Sequence, residues 1–291
     1  MKNINIFCFG FGQVAKNFVK KINSENYNVN LSVTSRNKTS KKVFDGVNYQ
    51  NYLFDNEKYD KKIIPKIKES NYILISIPPK NGEDLVIKYF SKYIQAPKVK
   101  WITYLSATSV YGDHKGEWVN EDSETKPTSS KGVARLKAEK SWLLLDSNKN
   151  LPIQIFRLSG IYTKQKNILA RLKFESVKLI DKKGHFFSRI HIDDIGILLF
   201  ESLSKFKSGE IYNLADDKPS SAEELTLYGA KILNIKDIKK IKVDQKENEK
   251  LKSFYKDSKK VSNKKIKSFF NYTLKFPTYV EGLDNIKDNF I

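Results

Sequence analysis

The sequence predicts an α/β fold, a doubly wound and mostly parallel sheet with helices on both faces. Three observations carry this. Short apolar runs alternate with amphipathic or charged helical stretches through the first half of the 291 residues, the pattern of strand–helix–strand units. Several of those runs are apolar almost throughout, as strands covered on both faces are. The first run leads straight into a glycine-rich turn and a helix, Gly10-Phe11-Gly12-Gln13-Val14-Ala15.

Taken in order, INIFCFG (4–10) reads as a strand and QVAKNFVKKI (13–22) as a helix, with apolar residues at helical spacing. NVNLSVTS (28–35) alternates as a strand does, and YQNYLF (49–54) is a further strand candidate. EKYDKKIIPKIKES (57–70) is a charged helical stretch. NYILISI (71–77) has the composition of a buried strand, GEDLVIKYFSKYI (82–94) that of an amphipathic helix, and KVKWITYLS (98–106) that of another strand. A helix opens in SSKGVARLKAE (129–139), after Pro127, with Thr128, Ser129 or Ser130 available as N-cap. LPIQIFRLSG (151–160) is one more strand. The second half is less regular: helices near 193–204 and 221–233, a strand at EIYNLA (210–215), and a very polar stretch around 236–265. No solenoid-period repeat appears. No Pro/Gly/Ser linker divides the halves, so a second domain would pack intimately on the first.

Composition narrows the function. Hydrophobic residues are 40% of the chain, and no apolar run approaches the roughly 20 residues of a membrane span. The N-terminal run flows into the glycine turn, which makes it a strand and not a cleaved signal. Cys8 is the single cysteine, which excludes a disulfide framework and a cysteine zinc site. His114 and His185 lack matching ligand partners, so no metal is expected. A cytoplasmic enzyme-sized protein is the starting expectation, with no membrane partner. The net charge of +20 is spread along the whole chain, which points to compositional bias; no specific nucleic-acid partner is expected. Lysine is the default cation. Arginine occurs five times among 53 basic residues, as Arg36, Arg135, Arg157, Arg171 and Arg189, and its planar fork marks those positions for attention.

The glycine element matches G-x-G-x-x-A in its diagnostic context, after a strand and opening a helix. Gly10 permits the tight turn, Gly12 lets a pyrophosphate approach the helix N-terminus together with Gln13 and Val14, and Ala15 allows close helix–strand packing. An acid near the end of the second strand would bind the ribose hydroxyl of NAD. This chain has Thr34-Ser35-Arg36-Asn37-Lys38 there. Ser35, Arg36 and Lys38 suit a 2′-phosphate, which places NADP ahead of NAD. Asp55 is a candidate adenine-side contact. In the helix at 129–139, Lys131 and Arg135 put two cations four residues apart where a helix dipole favours acids. The arrangement is either a solvated face or one that an anion completes.

Further along, the sequence resembles a known family. LSATSVYGDHKG, FRLSGIYTKQKN, FSRIHIDDIG and GEIYNLADDKPSSAEEL are similar to segments of the extended short-chain dehydrogenases/reductases. Ser76-Ile77-Pro78-Pro79 resembles an atypical, NAD(P)-dependent epimerase/dehydratase-like subgroup. The resemblance implies a Rossmann-type fold with a smaller C-terminal substrate domain, divided as 1–160 and 161–291, with 193–215 folding back onto the first. It also implies cofactor contacts at Ile77, Pro78 and Pro79, and an oxidoreductase or epimerase acting on a small polar, sugar-like or anionic substrate. In active relatives a Ser/Thr and a Tyr-x-x-x-Lys pair do the chemistry, the lysine also holding the nicotinamide ribose. Here Lys131 falls at the tyrosine position, Arg135 at the lysine position and Ala107 at the serine position, with Ser106 and Thr108 as neighbouring candidates. Lys131, Tyr111, Thr108 and Ser106 are therefore the catalytic candidates, Arg135 a cofactor contact, and Arg189 and His191 the substrate-side candidates. Asp193-Asp194 is expected to cap the helix that follows, and Arg157 to make buried hydrogen bonds. The alternative function is a non-catalytic dinucleotide-binding sensor or interaction protein. The sequence leaves a homodimer open.

Overall fold

A computed structural model describes residues 3–175, 177–182, 184–242 and 255–288. Residues 243–254, within the polar stretch read from the sequence, lie outside the described residues. The chain forms two compact units from interleaved segments. The first comprises residues up to 107, 130–157 and 195–212; the second 108–129, 158–194 and 213 onward. The sequence reading sets the boundary at residue 160 with 193–215 folding back onto the first part; the contacts group 195–212 with the first unit and 108–129 with the second.

Along the first unit run β1 (Asn3–Phe9), α1 (Gln13–Ser24), β2 (Asn28–Ser35), β3 (Ser40–Phe44), β4 (Val47–Asp55), β5 (Lys58–Tyr59), α2 (Ile63–Glu69), β6 (Tyr72–Ile75), α3 (Leu85–Phe90) and β7 (Trp101–Ala107). After β8 (Trp118–Val119), which belongs to the second unit, come α4 (Ser130–Lys149) and β9 (Ile153–Leu158). The second unit then holds β10 (Gly160–Tyr162), α5 (Ile168–Phe174), β11 (Leu179–Asp181) and β12 (Arg189–His191). Next follow α6 (Ile192–Glu201), β13 (Ile211–Leu214), α7 (Ala222–Ile232), β14 (Lys240–Lys242), β15 (Lys260–Val261) and the helices Lys264–Phe270 and Tyr279–Asp288.

The large sheet has strand order β13-β9-β7-β6-β1-β2-β4-β3, with β5 on β4. β1 pairs in parallel with both β2 and β6, and β2 with β4. The order therefore reverses at β1 and β6, which puts a topological switch point where the turns after those two strands meet. One face packs Phe7, Phe9, Phe54, Phe90, Tyr104 and Trp142 into a continuous core. On the first unit's other helices, Gly196 of α6 lets that helix abut Asn17 of α1; a Cβ there would collide with the Asn17 side chain.

Two departures from the sequence reading have clear causes. The connection after β2 is a β-hairpin, β3 antiparallel to β4, where one strand was expected. Asp45 (φ 51) and Gly46 (φ +79) turn it, both in the left-handed region that tight hairpin turns demand. The charged stretch 57–70 is helical only from Ile63, because Asn56 (φ 55) turns the chain into β5 first.

In the second unit, β10 pairs with β12 and β8 with β15, beside a helical core of Tyr162, Ile168, Leu169, Tyr279, Leu283 and Ile286. Asp194 does not act as the helix cap expected of it. It is fully buried and reaches across to the segment before the last helix. Its Oδ1 accepts from Tyr272 Oη (2.8 Å) and Lys275 N (2.6 Å), and its Oδ2 from Phe276 N (3.1 Å).

Candidate functional site

The turn after β1 is built for an anion. Gly10 has φ +87, and a Cβ on it would sit 2.6 Å from Ile77 Cγ2 and 2.8 Å from Ser76 Oγ. Only glycine fits at that approach to the turn after β6. Thr34 Oγ1 accepts from Gly10 N (2.9 Å), and Ser76 Oγ donates to the Phe9 and Gly10 carbonyls (3.0 Å each). The two turns and the end of β2 are thereby stitched together. Gly12, exposed, precedes α1 as an N-cap that offers no side chain, and no acid lies in the first turn. A Cβ on Gly12 would meet nothing within 4 Å. The N-terminus of α1 is thus without a side-chain cap and the space beside Gly12 is open, an arrangement that can receive an anion. Gln13 is exposed, Val14 half-buried and Ala15 buried against the sheet. Ile77 and Pro79 are half-buried and Pro78 is exposed on the facing turn.

At the tip of β2, Ser35 Oγ accepts from Asn37 N (3.1 Å). Arg36 and Lys38 are exposed, and the Arg36 guanidinium makes no hydrogen bond or ion pair among the described residues. No carboxylate occurs from Thr34 to Lys38. Asp55, at the end of β4, accepts from Asn56 Nδ2 (3.1 Å). The uncapped helix and the open space over Gly12 fit a dinucleotide.

The two cations of α4 differ. Lys131 is exposed in an acid-free first turn. Arg135 is half-buried and its Nη1 donates to Leu105 O (2.8 Å), near the end of β7. Ser106, next along β7 and a catalytic candidate of the sequence, is 2% exposed, with a hydroxyl that has no partner among the described residues.

The second unit holds a cavity of about 1380 Å³. Thr108, Ser109, Thr128 and Ser129 line it, and so do Lys166, Arg171, Lys182, Arg189, Lys256 and Lys259, with Asp257 the single carboxylate among the described residues. Thr128 Oγ1 donates to Asp257 Oδ1 (2.7 Å). Lys259 donates to Gly112 O (2.9 Å), and burial holds its ammonium below the usual lysine range although Asp257 and Asp113 favour the charge. Arg189 is half-buried; its Nη1 donates to Ser220 Oγ (2.7 Å), Ser220 O (3.3 Å) and Phe187 O (3.1 Å). Burial lowers its pKa, opposed chiefly by Asp216.

Of the other candidates in this unit, Thr108 reaches the cavity, while Tyr111 and His191 do not line it. Tyr111 is wholly buried, with its phenol donating to Asn213 Oδ1 (2.8 Å). The expected acid/base candidate thus has its phenol in an internal bond. His191 packs between Phe276 and Tyr162, with ring centroids 4.2 and 5.0 Å away, and its Nδ1 accepts from Asp193 N (3.2 Å). Burial lowers its pKa to about 4. The expected substrate-side residue therefore sits in an aromatic cluster outside the cavity lining. Lys182, Asp257 and Lys259 were missed because their positions follow from folding the last segments of the chain back; no motif marks them.

No protein-family model and no curated protein matches the chain. Solved structures do. A conserved protein of unknown function from Silicibacter pomeroyi is 29% identical, with 99% of each chain covered and a TM-score of 0.86. The dTDP-glucose 4,6-dehydratase of Bacillus anthracis, solved in complex with NAD, is 17% identical over 99% of this chain and 96% of that one (TM-score 0.78). The UDP-N-acetylglucosamine 4-epimerase of Bacillus cereus is 15% identical over 98% and 99% (TM-score 0.76). The likeness to dehydratases and epimerases read from the sequence thus extends to the fold along nearly the whole chain, a Rossmann-type α/β architecture.

Proposed function

We propose that this chain is an atypical short-chain dehydrogenase/reductase that binds NADP and acts on a small polar substrate, anionic or sugar-like. When bound, the cofactor would supply hydride exchange, in a reduction or within an epimerisation. The chain's part is to hold and orient. The N–H groups opening α1 at Gly12–Val14 take the pyrophosphate, with Ile77, Pro78 and Pro79 on the facing turn. Ser35, Arg36 and Lys38 take the 2′-phosphate. The observation that carries this reading is Arg36, an exposed guanidinium without a partner among the described residues at an acid-free strand tip. A charge-assisted hydrogen bond contributes roughly 1.5–3 kcal/mol, or about 10–150-fold in affinity. NADPH should therefore outbind NADH by at least about tenfold at low salt, with the gap narrowing as salt is added. Arg36→Ala should erase most of that gap and leave NADH affinity nearly unchanged. Equal binding of the two cofactors in direct titration of the unaltered protein would reject the assignment. The excess of cations around the second unit's cavity supports the anionic substrate.

A second reading, a dinucleotide-binding sensor without turnover, is favoured by one fact. The family's tyrosine position holds Lys131, and the phenol nearest in sequence, Tyr111, is wholly buried. Positioned acid–base groups typically supply about 10²–10⁴-fold, so oxidation of standard alcohols and sugar nucleotides should be slow or absent. Where turnover is found, its loss in Lys131→Met with cofactor affinity retained assigns the proton transfer to Lys131. An unchanged rate removes Lys131 from the mechanism.

A further inference from the structure

Arg189, which lines the cavity of the second unit, neighbours a charge arrangement that the reading above does not use. Asp216 is 1% exposed. Its backbone N–H donates to the carbonyl of Arg189 (2.6 Å). Its Oδ1 accepts one long bond from Lys218 N (3.3 Å), and its Oδ2 has no donor among the described residues. Arg189, meanwhile, commits Nη1 to Ser220 and Phe187, and its Nε and Nη2 have no hydrogen-bond partner among the described residues. A buried carboxylate beside an arginine would ordinarily claim that free fork in a bidentate pair. Here the two residues share a backbone bond and no salt bridge.

We propose that Asp216 is a positioning residue that decides whether Arg189 can capture an anionic group of the ligand in this cavity. As the neutral acid, Asp216 leaves the guanidinium charge to the ligand; as the carboxylate, it takes that charge for itself. The ligand chemistry is an oxoanion, carboxylate or phosphate-like, and the inference rests on the anionic-substrate reading given above.

Burial is the physical cause. An ionised carboxylate buried with one weak donor is costly, so such a group neutralises. Burial pushes the Asp216 pKa up to about 8 although Arg189 opposes the rise. The charged and titratable groups facing it are Arg189 from β12, Asp194 from α6, Tyr162 from β10, and Asp217 and Lys218 beside it in its own loop. The two carboxylates favour the neutral acid. Asp217 is itself held by Lys267 (2.8 and 2.9 Å) and by Asn263 Nδ2 (2.7 Å), so the loop is anchored whichever form Asp216 takes. Linkage then requires reciprocity: an anion bound at Arg189 raises the proton affinity of Asp216 by the factor that protonation raises anion affinity.

The test titrates the full chain with sulfate and, separately, with malonate, at about pH 7 and about pH 9.5, where both stay dianions. Sulfate stands for a phosphate-like group and malonate for a carboxylate; whichever binds more tightly names the class. In the unaltered protein, affinity should fall about tenfold across that range, the scale of one pKa unit of coupling. Binding near about pH 8.5 should take up a proton, read from the dependence of calorimetric heat on buffer ionisation. Asp216→Asn should bind at the higher pH as the unaltered protein does at the lower, with no proton uptake attributable to this site. Arg189→Ala should lose the anion at both. If Arg189→Ala binds as tightly as the unaltered protein, the anionic-substrate reading of the cavity fails. If Arg189 matters but Asp216→Asn keeps the full pH dependence, the Asp216 inference alone fails, and the titration of Lys259 is left as its source. Asp216→Glu, which restores a titrating group, should recover a pH dependence; a flat profile there would also overturn the proposal.

Discussion

The guanidinium of Arg157 grips the carboxylate of Glu139 in a shielded ion pair. Nη2 lies 2.7 Å from Oε2, and Nε lies 3.1 and 3.2 Å from the two oxygens. The side chains are 4% and 2% exposed. The pair ties α4, which carries Lys131 and Arg135, to β9 at the sheet. Removing one partner strands the other charge in a low-dielectric setting. Glu139→Ala or Arg157→Ala should therefore destabilise the first unit by about 3–5 kcal/mol, measured by denaturant unfolding. Replacing both with well-packed apolar residues should recover most of the loss, because the desolvation cost of the pair disappears with it. A loss below about 1 kcal/mol in the single variants would put the pair in the weak class typical of surface bridges.

The two glycines of the phosphate turn should respond differently to a methyl group. Gly10→Ala places a Cβ against Ile77 at a left-handed φ and should cost about 1–3 kcal/mol of stability. Gly12→Ala meets open space, so the fold should change by less than about 1 kcal/mol. The methyl would stand where the pyrophosphate approaches, and NADH and NADPH affinities should fall together. Thermal unfolding and paired cofactor titrations separate the two cases. A Gly12→Ala protein that binds both cofactors normally would remove Gly12 from the site.

The sequence made the first unit readable because its signals are local. A strand, two glycines and a small third residue imply a turn, and the absence of an acid after β2 is visible in five letters. The hairpin at β3–β4 was equally local and was missed, although Asp45-Gly46 between alternating residues is among the strongest short hairpin signals. The second unit was less legible for a different reason. Asp194 looks like a helix cap in one dimension. What it holds is Tyr272, Lys275 and Phe276, about eighty positions later, and no periodicity reports such a contact. His191 and Tyr111 carry chemistry-bearing side chains in family-like segments, and both are buried. Side-chain type alone does not report that burial, because it follows from contacts with Asn213 and Phe276 far along the chain.

That long-range anchor makes its own prediction. Asp194→Ala leaves the Lys275 and Phe276 N–H groups and the Tyr272 hydroxyl without their acceptor. Each buried group left unsatisfied costs about 1–3 kcal/mol, so a loss of about 3 kcal/mol or more is expected. Protection of the 272–276 amides from hydrogen exchange should fall well before that of the β1–β2 ladder. Asp194→Asn should be intermediate, since one oxygen still accepts while the new NH₂ faces a donor. Uniform loss of protection across both units would contradict a local anchoring role.

Three buried groups with large shifts bias the pH at which the fold is most stable. Burial lowers the pKa of His185 and of His191 from 6.5 to about 4. The unfolded chain therefore binds two more protons than the native state between those values, and the histidines' contribution to stability is lost as pH falls through that window. Asp216 acts in the opposite sense. Its pKa rises from 3.8 to about 8, so the native state holds a proton that the unfolded state has released, and stability is lost as pH rises through that window. From about 4 to 6.5 the two histidines outweigh the one carboxyl, and stability climbs with pH by a net proton. From 6.5 to about 8 the carboxyl acts alone and stability falls. One proton corresponds to about 1.4 kcal/mol per pH unit. The melting temperature should therefore peak near 6.5 as far as these groups decide it. In Asp216→Asn the alkaline limb should flatten while the acid limb persists. His185→Phe, which keeps the ring contacts with Phe187 and Tyr255 (4.5 and 5.2 Å), should halve the histidine share of the acid limb. An alkaline decline that survives Asp216→Asn would show that Asp216 is already ionised in the native state at neutral pH.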